Sequence, residues 1–175
     1  MQAVALVGRP NVGKSTLFNQ LTKTRDAIVH DAPGVTRDRV YGLCNLNPEK
    51  SFLVVDTGGL QRTEDHEINA LMLKQAKQAM QESALIVFIV DARAGINALD
   101  SEIANQIRQF NKPVLLIANK TDGLKNPDQA LAEFCDLGFG LPIGIAASHA
   151  RGLQEVLEAI AEKAGLNALE NAENS

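Results

Sequence analysis

Short apolar runs alternate with amphipathic stretches along most of this chain. The runs, which are residues 4–7, 52–55, 85–90 and 114–118, are near-continuous and rich in Val, Ile and Leu. Such runs are typical of strands that are buried on both faces of a sheet. Because helical stretches separate them, the pattern predicts an α/β fold: a mostly parallel, six-stranded sheet with helices on both faces.

The helical stretches carry apolar residues at the three- and four-residue spacing of one helix face. Asn126-Pro127 indicates an N-cap followed by proline at the first helical position. The one antiparallel edge strand is expected around Val40 to Leu46. Each apolar stripe predicts one helix, and the stripes are Ile68, Leu71, Met72, Ala76, Ala79 and Met80; Leu99, Ile103, Ile107 and Phe110; Leu131, Phe134 and Cys135; and Leu153, Val156, Leu157 and Ile160.

Length and charge fit one soluble domain. The chain has 175 residues, 45% of them hydrophobic, and a formal net charge of −4 from 17 Lys and Arg against 21 Asp and Glu. This acidic balance argues against strong direct nucleic-acid binding by the domain. No apolar run approaches the roughly 20 residues of a membrane span, and the N-terminus lacks the charged region of a secretory signal. We therefore expect a cytoplasmic protein without a membrane partner.

The chain divides into a long patterned part and a polar end. Residues 1–165 are predicted to form the domain, and residues 166–175 a linker or tail. Two stretches without periodicity, about Arg25 to Arg39 and Gly58 to His66, are long for loops in a compact domain, and such loops are usually functional. Cys44 and Cys135 form no metal pattern, and we expect both to be reduced, buried side chains.

The strongest local motif follows the first apolar run. Gly8-Arg9-Pro10-Asn11-Val12-Gly13-Lys14-Ser15 matches G-x-x-x-x-G-K-[ST], and Thr16 and an amphipathic helix come next. Glycines let backbone N–H groups point inward at an anion, and the helix N-terminus adds its positive dipole end. Lys14 would reach the β- and γ-phosphates, and the Ser15 hydroxyl would bind Mg²⁺. The motif predicts a nucleoside triphosphate site; the alternative is a chance glycine turn.

A second metal ligand is expected at the end of another buried strand. Asp56 follows the run 52–55, in the sequence Asp56-Thr57-Gly58-Gly59. Its carboxylate would hold Mg²⁺ through a water, and the Gly59 N–H would reach the γ-phosphate. The alternative is an aspartate that only caps a turn.

The identity of the base is indicated by Asn119-Lys120-Thr121-Asp122, which follows the run 114–118. The Asp122 carboxylate would accept hydrogen bonds from the ring N–H and the exocyclic amine of guanine. Adenine presents the opposite pattern there and would leave a buried carboxylate unpaired, which is costly. We expect Asn119 to tie this loop to the phosphate loop and the stem of Lys120 to cover the base.

Asp91 and the histidines are explained without a ligand. Asp91 ends another buried strand, and we expect it to cap the turn Arg93-Ala94-Gly95. His30, His66 and His149 lack metal-ligand spacing. We expect His66 to be a solvated loop histidine; the alternative is that it orients a water.

These motifs, in this order, resemble the G-motif series of translation-factor-type GTPases. The segments GRPNVGKSTLFN, DAPGVTRD, DTGGL, VDARAG, NKTD and IAASHARG are most similar to the first G domain of the Der (EngA) family of ribosome-assembly GTPases, from about Val4 to Leu157. The resemblance implies a P-loop G-domain fold, GTP or GDP and Mg²⁺ as ligands, and hydrolysis of GTP to GDP and phosphate. It also implies a fragment of a longer protein with a second G domain and a KH-like domain, acting in large ribosomal subunit biogenesis.

Further site residues follow from the same resemblance. Thr36, in DAPGVTRD, is expected to complete the Mg²⁺ shell in the triphosphate state and to release its loop after hydrolysis. Ala146-Ala147-Ser148 correspond to the last base-contacting loop, in which a backbone N–H binds guanine O6; the usual first serine is alanine here. Asn11 is implied to accompany activation by K⁺. The alternative for Asn11 is an Asx-type hydrogen bond within the loop.

Catalytic residues are less well specified than binding residues. Many GTPases orient the attacking water with a glutamine just after the DxxG motif, where this chain has Leu60. Two rival functions stay open: a nucleotide-gated binding module with negligible turnover, and an ATP-dependent enzyme in which Asp122 has no role. For the GTPase we expect four residues to serve catalysis, Lys14, Asn11, Thr36 and Gly59.

Overall fold

The computed structural model describes residues 2–22, 40–47, 50–57, 74 and 76–165. Within these residues the strands are β1 (Ala3–Val7), β2 (Val40–Asn47), β3 (Lys50–Asp56), β4 (Leu85–Asp91), β5 (Val114–Asn119) and β6 (Ile143–Gly144). They form one six-stranded sheet in the order β2-β3-β1-β4-β5-β6. Neighbouring strands are parallel except for β2 and β3, which are antiparallel. The predicted fold class and its antiparallel edge strand are confirmed.

Helices cover both faces of the sheet. On one face lie α1 (Lys14–Thr22) and α5 (Leu153–Lys163); on the other lie α2, described over 76–82, and α3 (Ala98–Arg108). The shorter α4 (Pro127–Glu133) has Asn126 as its N-cap and proline at its first position, as predicted. Among the described residues, no helix is long and apolar enough to cross a membrane.

The alternation of side chains along β1 explains why its sequence is apolar throughout. Val4 and Leu6 belong to the core under α1 and α5, whereas Ala5 and Val7 belong to the core under α2 and α3. Successive side chains of a strand point to opposite faces, so a strand covered on both sides needs an apolar residue at every position. Every residue of β4 is likewise buried.

Cys135 is not buried, contrary to the expectation from its apolar stripe. After α4 the chain tightens into a 3-10 turn over Phe134–Leu137, which has about three residues per turn. Phe134 and Leu137 therefore share the buried side, and Cys135 turns to solvent. Cys44 is buried as expected, and both thiols are free.

The parallel strands bring several loops to one edge of the sheet. The carboxyl ends of β1, β3, β4, β5 and β6 meet there, and β1 lies between β3 and β4, so the chain reverses its direction across the sheet at this point. Such a switch point is where open α/β sheets bind ligands. The predicted tail 166–175 and both irregular stretches, at 25–39 and 58–66, lie outside the described residues.

Candidate functional site

The phosphate loop, residues 8–13, connects β1 to α1 at this edge. At Gly8 a Cβ atom would lie 2.5 Å from the carbonyl oxygen of Ile89 in β4, so the close approach of the two backbones requires glycine. Asn11 and Gly13 have φ angles of 70° and 100°, in the left-handed region. These angles reverse the loop, and α1 begins directly after it at Lys14 with its free N–H groups at this edge.

Lys14 carries its charge into a nearly water-free position. The side chain is 7% exposed, and its Nζ donates a hydrogen bond to the Gly8 carbonyl oxygen at 2.6 Å. Burial lowers the pKa of the Lys14 ammonium, and the nearby Asp56 carboxylate opposes part of that shift. A buried ammonium with little solvent is stabilised by an anion, and a bound phosphate would supply one.

Oxygen ligands from two elements meet beside Lys14. Asp56 ends β3 and is buried, and its Oδ2 lies 3.4 Å from the Ser15 hydroxyl oxygen, which donates to it. The neighbouring Thr57 is also buried, and its hydroxyl donates to the Leu6 carbonyl oxygen at 3.0 Å, which fixes the end of β3 against β1. A hydroxyl and a carboxylate at this separation are hard oxygen donors of the kind Mg²⁺ prefers, so the residues present fit that ion.

Asn119 joins three parts of the site through one side chain. Its Nδ2 donates to the Val12 carbonyl oxygen at 2.9 Å, and its Oδ1 accepts from the Ala147 N–H at 2.9 Å. The expected tie to the phosphate loop is thus present, and a second one reaches the loop at 146–148. Ala146 and Ala147 are buried there, while Ser148 is exposed.

Asp122 lies at the rim of the edge, with its side chain 28% exposed. Its Oδ2 is 3.3 Å from a guanidinium nitrogen of Arg93 and 3.3 Å from Nε2 of His149. Partial burial alone would raise the pKa of the Asp122 carboxyl, but its own backbone N–H, Arg93 and His149 together hold that pKa below its ordinary value. The carboxylate is therefore charged and available as an acceptor.

Lys120 bridges the phosphate loop and the end of β4. Its Nζ donates to the Asn11 carbonyl oxygen at 2.7 Å and to Oδ2 of Asp91 at 2.9 Å. The other oxygen of Asp91 accepts from the N–H groups of Arg93 and Ala94, at 2.9 and 3.0 Å, which confirms the predicted cap. Burial alone would raise the pKa of Asp91, but Lys120 and the two N–H groups hold it below its ordinary value. The ion pair with Lys120 was missed, because nothing in the sequence indicates that these side chains meet.

Arg9 points away from the phosphate loop toward α3. Its Nε lies 3.3 Å from Oδ1 of Asp100, whose side chain is fully buried. Oδ2 of Asp100 accepts from the Asn97 N–H in the capping box of α3. Burial raises the pKa of Asp100, and the Asn97 N–H and the Arg9 charge oppose the shift. The sequence signal for Asp100 was only that of a helix N-terminus.

Several predicted site residues are not described by the structure. Thr36, Gly58, Gly59 and Leu60 lie outside the described residues. The residues that the structure does bring together at the edge are the phosphate loop, Lys14, Ser15, Thr16, Asp56, Thr57, Asn119, Lys120, Asp122 and the loop at 146–148.

The fold and this edge define a P-loop G domain: a phosphate loop at the central strand, an aspartate at the end of the next strand, and an Asn-Lys-x-Asp loop two strands away. The profile of the 50S ribosome-binding GTPase family matches residues 3–120. The chain therefore belongs to that family.

Individual relatives agree with this assignment and with the resemblance noted in the sequence. GTPase Der of Stenotrophomonas maltophilia is 51% identical over 160 residues, which are 91% of this chain and 34% of the relative. GTPase Der of Acinetobacter baumannii is 53% identical over 155 residues, which are 89% and 32% of the two chains. The chain thus spans about a third of the length of these relatives.

Solved structures of other GTP-binding proteins have a similar fold. Aquifex aeolicus Era, crystallised with GDP and AlF4⁻, superimposes with a TM-score of 0.75 at 34% identity, over 93% of this chain and 57% of Era. The G domain of the T. maritima FeoB iron transporter gives a TM-score of 0.69 at 26% identity, over 94% and 99% of the two chains.

Proposed function

We propose that this domain binds GTP and GDP with Mg²⁺ at the edge described above and hydrolyses GTP to GDP and phosphate. The observation that carries the proposal is the double hydrogen bond of Asn119, which holds the phosphate loop and the loop at 146–148 to the strand that leads into Asp122. A phosphate site and a base site are thereby fixed at one distance from each other. Fixed spacing of this kind is what recognition of a whole nucleotide requires.

Guanine is the base that the Asp122 carboxylate fits. Its two oxygens would accept from the ring N–H and the exocyclic amine, and a backbone N–H of residues 146–148 would donate to O6. Adenine has no donor at its ring nitrogen and would leave the carboxylate unpaired. The charge on Asp122, maintained by Arg93 and His149, supports this role.

The phosphates would lie over the loop at residues 8–13, with Lys14 against the β- and γ-phosphates. The lowered pKa of the buried Lys14 indicates that its charge is poorly solvated. A polyphosphate would restore favourable interactions that burial removed. Lys14 would exchange its hydrogen bond with Gly8 for a phosphate oxygen.

The proposal includes two cations: Mg²⁺, argued from the oxygen donors in the structure, and K⁺, argued from the family resemblance. Mg²⁺ would be held by Ser15 and Asp56, with Thr36 joining in the triphosphate state, and it neutralises phosphate charge during phosphoryl transfer. K⁺ is proposed from Asn11 on the family resemblance. The side chain of Asn11 is exposed at the mouth of the phosphate loop, which leaves it accessible to such an ion.

In hydrolysis, water attacks the γ-phosphorus, the bond from that phosphorus to the β–γ bridging oxygen breaks, and GDP leaves with the electron pair. The attacking water loses a proton to a phosphate oxygen or to solvent. The Gly59 N–H would stabilise the γ-phosphate oxygens, and Thr36 would report their loss by releasing its loop. The side chain of Leu60 has no group that could hydrogen-bond the water. This absence favours slow turnover in the isolated domain, and it is the reason the nucleotide-gated module remains a second candidate.

The direct test is GTP hydrolysis with Mg²⁺ in KCl and in NaCl of equal ionic strength. We expect turnover that KCl stimulates and that Asn11→Ala makes insensitive to the choice of salt. An Asp128→Asn variant, changed at an exposed position in the first turn of α4, is the matched control. Tight GTP binding with negligible turnover in both salts would favour the nucleotide-gated module instead.

Base selectivity is tested separately, by competition of unlabelled nucleotides against fluorescent GDP. GTP and GDP should displace the probe, and ATP should not at comparable concentrations. Effective displacement by ATP would overturn the role given to Asp122 and favour an ATP-dependent enzyme.

The wider context is proposed from the family resemblance noted in the sequence. We propose that the chain is one G domain of a longer, cytoplasmic protein with a second G domain and a KH-like domain. That protein would act as a nucleotide-dependent switch in large ribosomal subunit biogenesis. Co-sedimentation of the full-length protein with large subunits, in GTP and in GDP, tests this step.

A further inference from the structure

We infer that Asp91 is a positioning residue that sets the guanine selectivity of the site, acting through Lys120 and Arg93 without touching the nucleotide. The inference rests on the proposed function, since it concerns how Asp122 is held for the base. It starts from the fact that one buried carboxylate contacts both Lys120, in the base loop, and the turn from which Arg93 reaches Asp122.

The first chain of contacts leads from Asp91 through Lys120 to the phosphate loop. Oδ2 of Asp91 holds Lys120 Nζ at 2.9 Å, and the same Nζ donates to the Asn11 carbonyl oxygen at 2.7 Å. The Asp91 side chain is 9% exposed and that of Lys120 is 36% exposed, so water screens the ion pair only from the Lys120 side. Lys120 is thereby stretched between the end of β4 and the phosphate loop.

The ion pair with Asp91 helps to hold Lys120 in an unfavourable backbone conformation. The φ angle of Lys120 is 67°, in the left-handed region that is unfavourable for a residue with a Cβ atom. Such conformations persist only where the surroundings impose them. The anchored side chain of Lys120 is one restraint on this bend, and the hydrogen bonds of Asn119 and Thr121 restrain it on either side. Releasing Lys120 removes the restraint at the bend itself.

The second chain of contacts leads from Asp91 through Arg93 to Asp122. Oδ1 of Asp91 fixes the turn that follows β4 by accepting the N–H groups of Arg93 and Ala94. Arg93 then reaches Asp122, with one guanidinium nitrogen 2.7 Å from its carbonyl oxygen and 3.3 Å from its carboxylate. The turn and the bend therefore approach Asp122 from two directions, and both depend on Asp91.

The variant Asp91→Asn removes the ion pair with Lys120 but keeps the hydrogen bonds to the turn. The asparagine oxygen can still cap the turn, but the amide that replaces the other oxygen repels the Lys120 ammonium. Losing a hydrogen bond to a charged group corresponds to about a tenfold change in an equilibrium constant. We expect GDP affinity to fall about tenfold and the preference for GDP over IDP, which lacks the exocyclic amine, to fall with it.

The experiment measures displacement of fluorescent GDP by GDP and by IDP in the wild type, Asp91→Asn, Lys120→Met and the double variant. Asp128→Asn is again the control, and urea unfolding without nucleotide verifies that each variant folds. We expect Lys120→Met to lower the GDP preference as well, and the double variant to lose no more than the more affected single variant. Selectivity that is unchanged in folded Asp91→Asn, or additive losses in the double variant, would overturn the inference.

The same assays distinguish a failure of the proposed function from a failure of the role given to Asp91. A wild type that binds neither GDP nor GTP would refute the nucleotide site and the role of Asp91 together. A wild type that binds GDP and discriminates against IDP, with an unaffected Asp91→Asn variant, would refute the role of Asp91 alone. If Asp91→Asn does not fold, Lys120→Met decides, because it removes the same ion pair and leaves the cap intact.

Discussion

Gly13 lies in the phosphate loop beside the side chain of Asn119, which ends β5. A Cβ atom at this position would be 2.1 Å from Nδ2 of Asn119, far inside van der Waals contact. Its φ angle is also positive, at 100°. Gly13→Ala should therefore strain the backbone and displace the side chain that joins the two loops.

The expected cost has two parts. A left-handed φ at a residue with a Cβ atom costs about 1–2 kcal/mol, part of which is returned by the lower entropy of the unfolded chain. Displacing Asn119 leaves the Val12 carbonyl and the Ala147 N–H buried without their partner, at about 1–3 kcal/mol for each group. We expect the free energy of unfolding to fall by about 2–7 kcal/mol, which is a large share of the stability of a typical domain.

Gly140→Ala is the matched control, because Gly140 has a φ angle of 84° and no atom within 4 Å of the added Cβ. Only the backbone term applies there, so the loss should be about 1 kcal/mol or less. Urea unfolding without nucleotide measures both variants, and GDP binding should weaken only in Gly13→Ala. Equal losses of stability in the two variants would refute the claim that the contact with Asn119, rather than the φ angle, makes glycine necessary.

Three further outcomes are expected. Because burial lowers the pKa of Lys14, the folded protein releases that proton at lower pH than the unfolded chain does; raising the pH from about 7 to about 10 should stabilise the wild type relative to Lys14→Met in urea unfolding. Burial raises the pKa of the Cys44 thiol to about 11, whereas Cys135 is exposed, so dithionitrobenzoate should modify one thiol rapidly and the second only after unfolding. Asp122→Asn should shift binding from GDP toward xanthosine diphosphate, and an unaltered preference in competition assays would exclude Asp122 from the base site.

The strands and the binding motifs could be predicted from sequence because their signals are local. A strand covered on both faces is apolar at every position, so β1, β3, β4 and β5 could be recognised as runs. The phosphate loop depends on glycines at fixed spacing between a strand and a helix, and this too is a property of adjacent residues. Cys135 was placed wrongly because a 3-10 turn changed the helical period within one turn.

The sequence by itself determined the α/β class and three segments of the site: the phosphate loop, Asp56 with Thr57, and the loop 119–122. Each depends on residues that are neighbours in the chain. The tertiary structure decided how those segments are joined. Asn119 and Val12 are 107 positions apart, and Asp91 and Lys120 are 29 apart. Hydrogen bonds and ion pairs at such separations depend on strand order and on which side chains face each other across a loop, and a linear pattern carries neither.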